Sequence, residues 1–498
     1  MQSAIIELLS HPTTYGPEVD HVALMETHIS HIFLAGPKAY KLKRAVALPY
    51  LDFSTLEARE QACQNEVKLN QRTAPEIYLG IKPVTKGPGG ELAIDGEGEV
   101  VDWLVEMNRF EQESLLSTMA KSNHLSLHDM ELLAEKIFEF HRHEPAAQVA
   151  GGAERIASII ENNGQCFEEY GAGIFDDTKI EELNDRLQRN LKQNISLLER
   201  RKAQGRVRHC HGDLHLGNIV MIDEEPVLFD AIEFSDDLAT IDVMYDLAFL
   251  IMDLVFQDMV TEANWLLNRY LMLSGDVEAL AVLPLFMSMR ASIRAHVAAL
   301  AKAESEAIKY LDLAIGCLEP TAPRLIVIGG LSGTGKTSLA RALAPTILPL
   351  PGALILRSDV IRKHLAEIGQ YETLPDEGYS AEMTQKTYRQ IYRDAATALA
   401  AGHSVIADAV FAGPEERAAI AEVAKHAGIA FDGIWLDLDP AAAEARISNR
   451  TKDASDATVA ILKQQLAYDV GMIDWHRIPS EGELEAVQTA AFSALLAD

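Results

Sequence analysis

The 498-residue chain is 48% hydrophobic and 24% charged, an ordinary globular composition that at this length makes two or three domains. Its formal net charge is −30, with acidic residues in excess on both sides of Pro323, and such a field repels a long polyanion, so no nucleic-acid partner is expected. The start Met1-Gln-Ser-Ala lacks a secretory signal, no apolar run is long enough for a bilayer, and Cys63, Cys166, Cys210 and Cys317 have no metal-ligand spacing, so a cytoplasmic chain with reduced thiols and no membrane partner is expected.

Up to about residue 105 the pattern gives short strands at His31–Leu34, Ala39–Lys43 and Glu99–Val105. One helix is expected to open at Ser54, with Glu57 completing a capping box and Pro75 beyond its end. Lys41 and Lys43 fall on one strand face because side chains alternate with period two. Either lysine could pair with Glu66, near the middle of the helix, and Lys41 is preferred.

From about 110 to 315 the pattern is mostly helical, broken by one strand-loop-strand island at 207–234. The island holds His211-Gly-Asp213-Leu-His215-Leu-Gly-Asn218 and then Asp230 after a strand. An Asp, an Asn five residues on and a second Asp after a strand suit phosphoryl transfer: one carboxylate for the acceptor hydroxyl, an amide oxygen and a carboxylate for Mg²⁺. His209, His211 and His215 could suggest zinc, but no further Cys or His lies nearby and they share their loop with this Asp/Asn set.

These residues resemble the aminoglycoside phosphotransferase-like branch of the protein-kinase fold. The resemblance implies Asp213 as catalytic base and Asn218 and Asp230 as metal ligands, with Lys41 or Lys43 and Glu66 orienting the ATP phosphates. It further implies adenine contacts through backbone groups at a strand-to-helix crossover around Val105, Glu106 and Met107. Asp246, in Ile241-Asp-Val-Met-Tyr-Asp246, is then a buried brace for the catalytic loop. Two departures count against a protein substrate: Gly36-Pro37 stands where a glycine-rich loop would be, and Ala231-Ile-Glu233 follows Asp230. Glu233, Asp236 and Asp237 are candidates for an acidic acceptor pocket.

Glu319-Pro-Thr-Ala-Pro-Arg324 is a Pro-interrupted joint before the apolar run Leu325-Ile-Val-Ile-Gly329. Directly after it, Gly330-Leu-Ser-Gly-Thr-Gly335-Lys336-Thr337 is a phosphate-binding loop. The backbone of Gly330, Ser332, Gly333, Thr334 and Gly335, with the helix start at Ser338, is expected to surround a triphosphate, while Lys336 reaches the outer phosphates and Thr337 holds Mg²⁺. Apolar runs at 325–328, 353–356, 404–407 and 434–438 alternate with helical patterns, which gives a parallel sheet.

Asp359 ends one of these strands and could accept the proton of an attacking hydroxyl, or simply cap its helix. Asp408 matches the second strand carboxylate that binds Mg²⁺ through water. Arg446 and Arg450, four apart on one helix face before the polar, lid-like stretch 451–456, could neutralise the transferring phosphoryl group.

This part resembles small-molecule kinases related to gluconate kinase, polynucleotide kinase and zeta-type toxins. The whole order resembles an aminoglycoside phosphotransferase-like kinase fused to an ATP-binding P-loop kinase, often labelled an AAA ATPase, although no ring-forming arginine finger and sensor are found. The expected architecture is a bilobal α+β kinase-like domain (small lobe 1–105, helical lobe 106–318), a linker at 319–324, and an α/β P-loop kinase domain at 325–498. The expected function is a bifunctional ATP- and Mg²⁺-dependent phosphotransferase acting on hydroxyls of small molecules. The alternatives are one domain sensing ATP for the other, or a protein or nucleotide-sugar target.

Overall fold

A computed structural model describes residues 2–48, 51–147, 150–449 and 454–495. The chain forms two compact units: Met1–Cys166 with Leu191–Gln257, and Phe167–Asn190 with Asp258–Asp498. Compactness therefore divides the chain elsewhere than at the 319–324 joint. The reason lies inside the second unit, where the helix Val260–Ser274 is hydrogen-bonded at and just before the strand Leu354–Arg357, well beyond the joint: Asn264 donates to the Ala353 carbonyl at 3.1 Å and Asn268 accepts from the Ile355 N–H at 2.7 Å.

In the first unit six antiparallel strands form one sheet: β1 (Val22–Glu26), β2 (Ser30–Ala35), β3 (Lys38–Lys43), β4 (Tyr78–Lys86), β5 (Leu92–Ile94) and β6 (Glu99–Asn108), in the order β1-β2-β3-β6-β4-β5. Gly36-Pro37 is the two-residue turn of the β2–β3 hairpin, with Gly36 at φ +55° supplying a left-handed conformation that proline could not. The period-two alternation of β3 separates two cores. Ala39 joins Cys63, Val105 and Met107 beneath the helix α1 (Leu56–Asn70), on the same side as Lys41 and Lys43, and Leu42 joins Phe33, Leu104, Ile5 and Leu9 on the other.

The α1 start differs from the expected Ser54 cap. Thr55 is the N-cap, accepting from Ala58 N at 3.1 Å, because the Ser54 N–H is already held by Asp52 at 2.9 Å in the turn before it. The strand expected to end near Val105 runs on to Asn108, so Glu106 and Met107 lie inside β6, paired with β3 on one side and β4 on the other. The crossover toward the helical part thus begins after Asn108.

The island of the helical part is built as expected. β7 (Val207–His209) pairs with β10 (Thr240–Asp242), and β8 (Ile219–Ile222) forms a hairpin with β9 (Glu225–Leu228). The helix α2 (Val243–Phe256) follows, capped by Asp242 and buried almost throughout.

In the second unit five parallel strands stand in the order β12-β13-β11-β14-β15, namely Leu354–Arg357, Val405–Asp408, Arg324–Gly329, Ala430–Asp437 and His476–Pro479. The fifth, His476–Pro479, went unrecognised in the sequence. A parallel sheet needs helices on both faces, and the core of Ile326, Ile328, Leu339, Leu343, Ile406, Ile434 and Leu436 joins β11, β13 and β14 to the helix α3 (Lys336–Leu343) that follows the phosphate loop. Among the described residues no helix is long and apolar enough to cross a membrane.

Candidate functional site

In the first unit β3 and α1 bring Lys41 onto Glu66 at 2.8 Å, and the hairpin end brings Asp230 to the same ammonium at 2.6 Å. Lys43 lies deeper on the same face, fully buried, and pairs with both Glu66 and Glu233. Burial alone would raise the Glu66 carboxyl, but Lys41 and Lys43 outweigh it and bring it down to about 2. Burial likewise works against the charge of Lys41, yet Asp230 and Glu66 hold it well above the ordinary lysine range.

The catalytic-type loop is fastened from below. Asp246, fully buried, accepts from the backbone N–H groups of His211 at 3.0 Å and Gly212 at 2.9 Å and pairs with His141 at 3.1 Å. Both its oxygens accept hydrogen bonds within the fold, so the nearby His141–Cys210–Asp246 cluster already serves as a structural knot. Asp253 accepts from Leu216 N at 3.0 Å and fixes the second half of the loop. Asn218 donates to the carbonyl and to the carboxylate of Asp213, each at 2.9 Å, and its own carbonyl accepts from Phe229 N at 3.0 Å, next to Asp230. Lys41, Glu66 and Asp230 thus meet, Asn218 meets Asp213, and the Asn218–Phe229 bond ties the two groups together; the side-chain oxygens of Asn218 and Asp230 are of the kind that suits a hard cation.

The three histidines serve separate partners. His211 bonds the Phe229 carbonyl at 2.9 Å, His215 accepts from Gly217 N at 3.0 Å, and His209 approaches Asp236 at 3.4 Å. Glu233 is only 6% exposed and spent on Lys43, so it drops out of the acidic acceptor pocket, whereas Asp236 is open to solvent. Glu106 and Met107 do not stand at a crossover, for the reason given above; the Glu106 side chain lies 3.4 Å from the Tyr40 hydroxyl.

In the second unit a cavity of about 1020 Å³ opens at the carboxyl ends of β11, β12 and β13. Ser332, Gly333, Gly335, Lys336, Thr337, Ser338, Asp359, Asp408 and Arg446 all line it, together with Arg357 and Arg362. Gly330 and Thr334 complete the loop around this wall; Thr334 donates to the Leu331 carbonyl at 2.9 Å, as does Lys336 at 3.0 Å. Gly333, at φ +84°, could carry no side chain: a Cβ would come within 2.8 Å of the Ala443 carbonyl. Arg446 lies beside the loop, 3.6 Å from where a Gly335 Cβ would stand, and donates to the Ser480 carbonyl at 2.7 Å.

Thr337 donates to Asp408 at 2.6 Å, and Arg357 approaches the same carboxylate at 3.6 Å. Burial raises the Asp408 carboxyl against the opposing pull of Arg357 and Lys336. The pairing of a buried carboxylate with the Thr337 hydroxyl oxygen offers the oxygen donors that a Mg²⁺ ion takes. Asp359 stands in the first turn of the helix Ser358–Leu365 without capping it; the N-cap is Arg357 and no side chain closes that end. Arg450 and residues 451–453 of the lid-like stretch lie outside the described residues, while Asp456 of that stretch binds Lys363 at 3.0 Å, Leu374 N at 3.0 Å and the Tyr379 hydroxyl at 3.1 Å.

Several supporting residues escaped the sequence reading. Tyr78 and Asn70 hold the Asp230 and Ala231 N–H groups at 3.1 and 2.8 Å, and Gln465 accepts from the phosphate-loop N–H of Ser332 at 2.8 Å. Each acts across more than a hundred residues, and none stands in a recognisable local pattern.

Residues 108–282 match the family model described as "Phosphotransferase enzyme family", and residues 325–469 match one described as "AAA domain". Uncharacterized proteins of Mycobacterium tuberculosis and Mycobacterium bovis are each 29% identical over 495 residues, covering 96% of this chain and 95% of theirs. Among solved structures, the GDP complex of aminoglycoside 2'-phosphotransferase-IIIa is 14% identical, covering 64% of this chain and 99% of that one with a TM-score of 0.40. A gluconokinase from Sinorhizobium meliloti is 20% identical over 35% of this chain and 93% of its own, with a TM-score of 0.26. The chain thus joins a domain that matches the phosphotransferase enzyme family to a P-loop domain that matches the AAA domain.

Proposed function

We propose that the chain is a bifunctional ATP- and Mg²⁺-dependent phosphotransferase whose two sites each move the γ-phosphoryl group of ATP to a hydroxyl of a small molecule. The observation that carries this reading is the convergence of Lys336, Thr337, Asp408, Asp359 and Arg446 on one cavity of the second unit; in the first unit, independently, Lys41 meets Glu66 and Asp230 while Asn218 meets Asp213. A pure sensor of ATP has no use for a proton acceptor and a charge-neutralising arginine at its phosphate loop.

In the first unit Asp213 takes the proton of the acceptor hydroxyl as its oxygen bonds to the γ-phosphorus and the bond to the β-phosphate oxygen breaks, releasing ADP. Lys41, held by Glu66, orients the phosphates, and Asn218 and Asp230 hold the metal. In the second unit Asp359 takes the proton, Lys336 and the loop N–H groups hold the phosphates, Thr337 and Asp408 hold the metal, and Arg446 offsets the charge of the moving group. Bound Mg²⁺ supplies charge neutralisation of the β- and γ-phosphates in both sites.

The test is transfer from labelled ATP into a metabolite collection by the full chain, by Lys336→Ala and by Asp213→Asn. Each variant should lose its own product and retain the other. A single variant that abolishes every product, or two that change none, would count against two independent sites.

A further inference from the structure

The charged groups of the first unit close into a ring. Asp230 pairs with Lys41, Lys41 with Glu66, Glu66 with Lys43 and Lys43 with Glu233, and Glu233 returns to Asp230 through the two intervening residues Ala231 and Ile232. The spacing explains how this is possible: lysines two apart on one strand face stand about 7 Å from each other, and Glu66 offers one oxygen to each. Asp230 itself is held at φ +60°, a left-handed backbone that an aspartate keeps only when its surroundings impose it. The segment after it is pinned residue by residue. Tyr78 takes the N–H of Asp230, Asn70 that of Ala231 and the His211 carbonyl that of Ile232, and Glu233 is pinned through its side chain on Lys43.

Stability alone does not explain this arrangement. A lysine buried to 0% exposure with two carboxylates loses its hydration, and apolar replacement of such groups is often neutral or stabilising. The arrangement does, however, settle two things at the nucleotide end. Lys43 occupies the second oxygen of Glu66, so Lys41 is shared between one Glu66 oxygen and Asp230, and Glu233 anchors the far end of the segment that carries Asp230.

Resting on the reading of the first unit as a Mg²⁺–ATP site, we infer that Lys43 and Glu233 are positioning residues that hold the metal-binding carboxylate Asp230 in register with Lys41, and that neither touches the nucleotide. Lys43 is therefore not an alternative to Lys41 at the phosphates.

The experiment uses the full chain in a Lys336→Ala background, so that the first unit reports. Binding of a fluorescent ATP analogue is followed with and without Mg²⁺ for Glu233→Gln, for the charge-conserving double variant Lys43→Met/Glu233→Gln, and for Lys41→Met. Glu233→Gln should raise the Mg²⁺ concentration for half-maximal binding by about 10- to 100-fold, the range for groups that orient a metal ligand, with Mg²⁺-free affinity unchanged. The double variant should add little to that shift. Should Glu233→Gln not fold, because Lys43 is left with one fewer partner, the double variant carries the test. An unmoved Mg²⁺ midpoint in a folded variant overturns the inference, and so does a fall in Mg²⁺-free affinity in the double variant, which would make Lys43 a phosphate ligand. Lys41→Met is the separate control: it should weaken binding with and without Mg²⁺, and if it does neither, the nucleotide site itself has been misread.

Discussion

Replacing Asp246 tests whether the catalytic-type loop is held by one buried carboxylate. In Asp246→Ala the N–H groups of His211 and Gly212 and the His141 ring lose their partner together, with all of these groups buried or nearly so. A buried donor left unsatisfied costs roughly 1–3 kcal/mol, so the two amides alone represent about 2–6 kcal/mol, a large part of a domain's stability. For a unit of this size that lowers the unfolding midpoint by on the order of 10 °C. Asp246→Asn keeps one carbonyl acceptor but turns an NH₂ toward a donor, and should fall between Ala and the parent. Hydrogen exchange at the 211 and 212 amides, read beside thermal unfolding, localises the effect. Unchanged exchange at both amides in Asp246→Ala would show that another group, or water, satisfies them and that Asp246 is no brace.

Arg446→Ala should lower transfer at the second site by about 10³-fold or more, and Arg446→Lys should restore little because a point charge does not reproduce a planar fork, as steady-state rates on that site's product will show. Gln465→Leu removes the acceptor of the Ser332 N–H at 2.8 Å; the expected cost is about 1–3 kcal/mol, with faster exchange of that amide and weaker nucleotide binding at the second site only. His403 is fully buried, donating toward the Gly352 carbonyl at 2.9 Å, and burial brings its pKa down to about 4. Below pH 6.5 the unfolded chain takes up a proton that the folded chain refuses until about pH 4. This contribution to stability is therefore complete above 6.5 and lost as pH falls toward 4, by up to roughly 3 kcal/mol. Denaturant midpoints against pH should lose that slope in His403→Leu.

Local pattern carried much of the architecture. The β11–loop–α3 passage, the Asp213/Asn218/Asp230 spacing and the shared face of Lys41 and Lys43 are all short-range signals, because a strand alternates and a phosphate loop needs its glycines wherever it occurs. What stayed hidden depends on depth and distance. Nothing local tells that Lys43 sinks to Glu233, 190 residues away, while Lys41 stays at the mouth with Asp230, and this is why Glu233 read as a free acidic residue. Ser54 and Thr55 are chemically equivalent caps, and only the Asp52 turn decides between them. The strand His476–Pro479 is short and contains a proline and two charged or ionisable residues, which suits an edge strand and hides its period.

The two sites meet one electrostatic demand by opposite means, and this bears on how each would accept a triphosphate. In the second unit the phosphate-loop backbone and Lys336 present donors whose partners are weak: a carbonyl for Lys336, a side-chain amide for the Ser332 N–H. An incoming phosphate replaces these neutral acceptors with charged ones, so the exchange favours binding. In the first unit Lys41 is already committed to Glu66 and Asp230, and the ring of two lysines and three carboxylates is negative by one charge when all are ionised. An ammonium has three N–H groups, so phosphate can share Lys41 with both carboxylates, but the negative ring opposes the incoming charge until a cation draws Asp230 away. On the proposed reading, metal therefore strengthens nucleotide binding at this site, and the fixed placement of Asp230 by the far side of the ring serves binding as well as transfer.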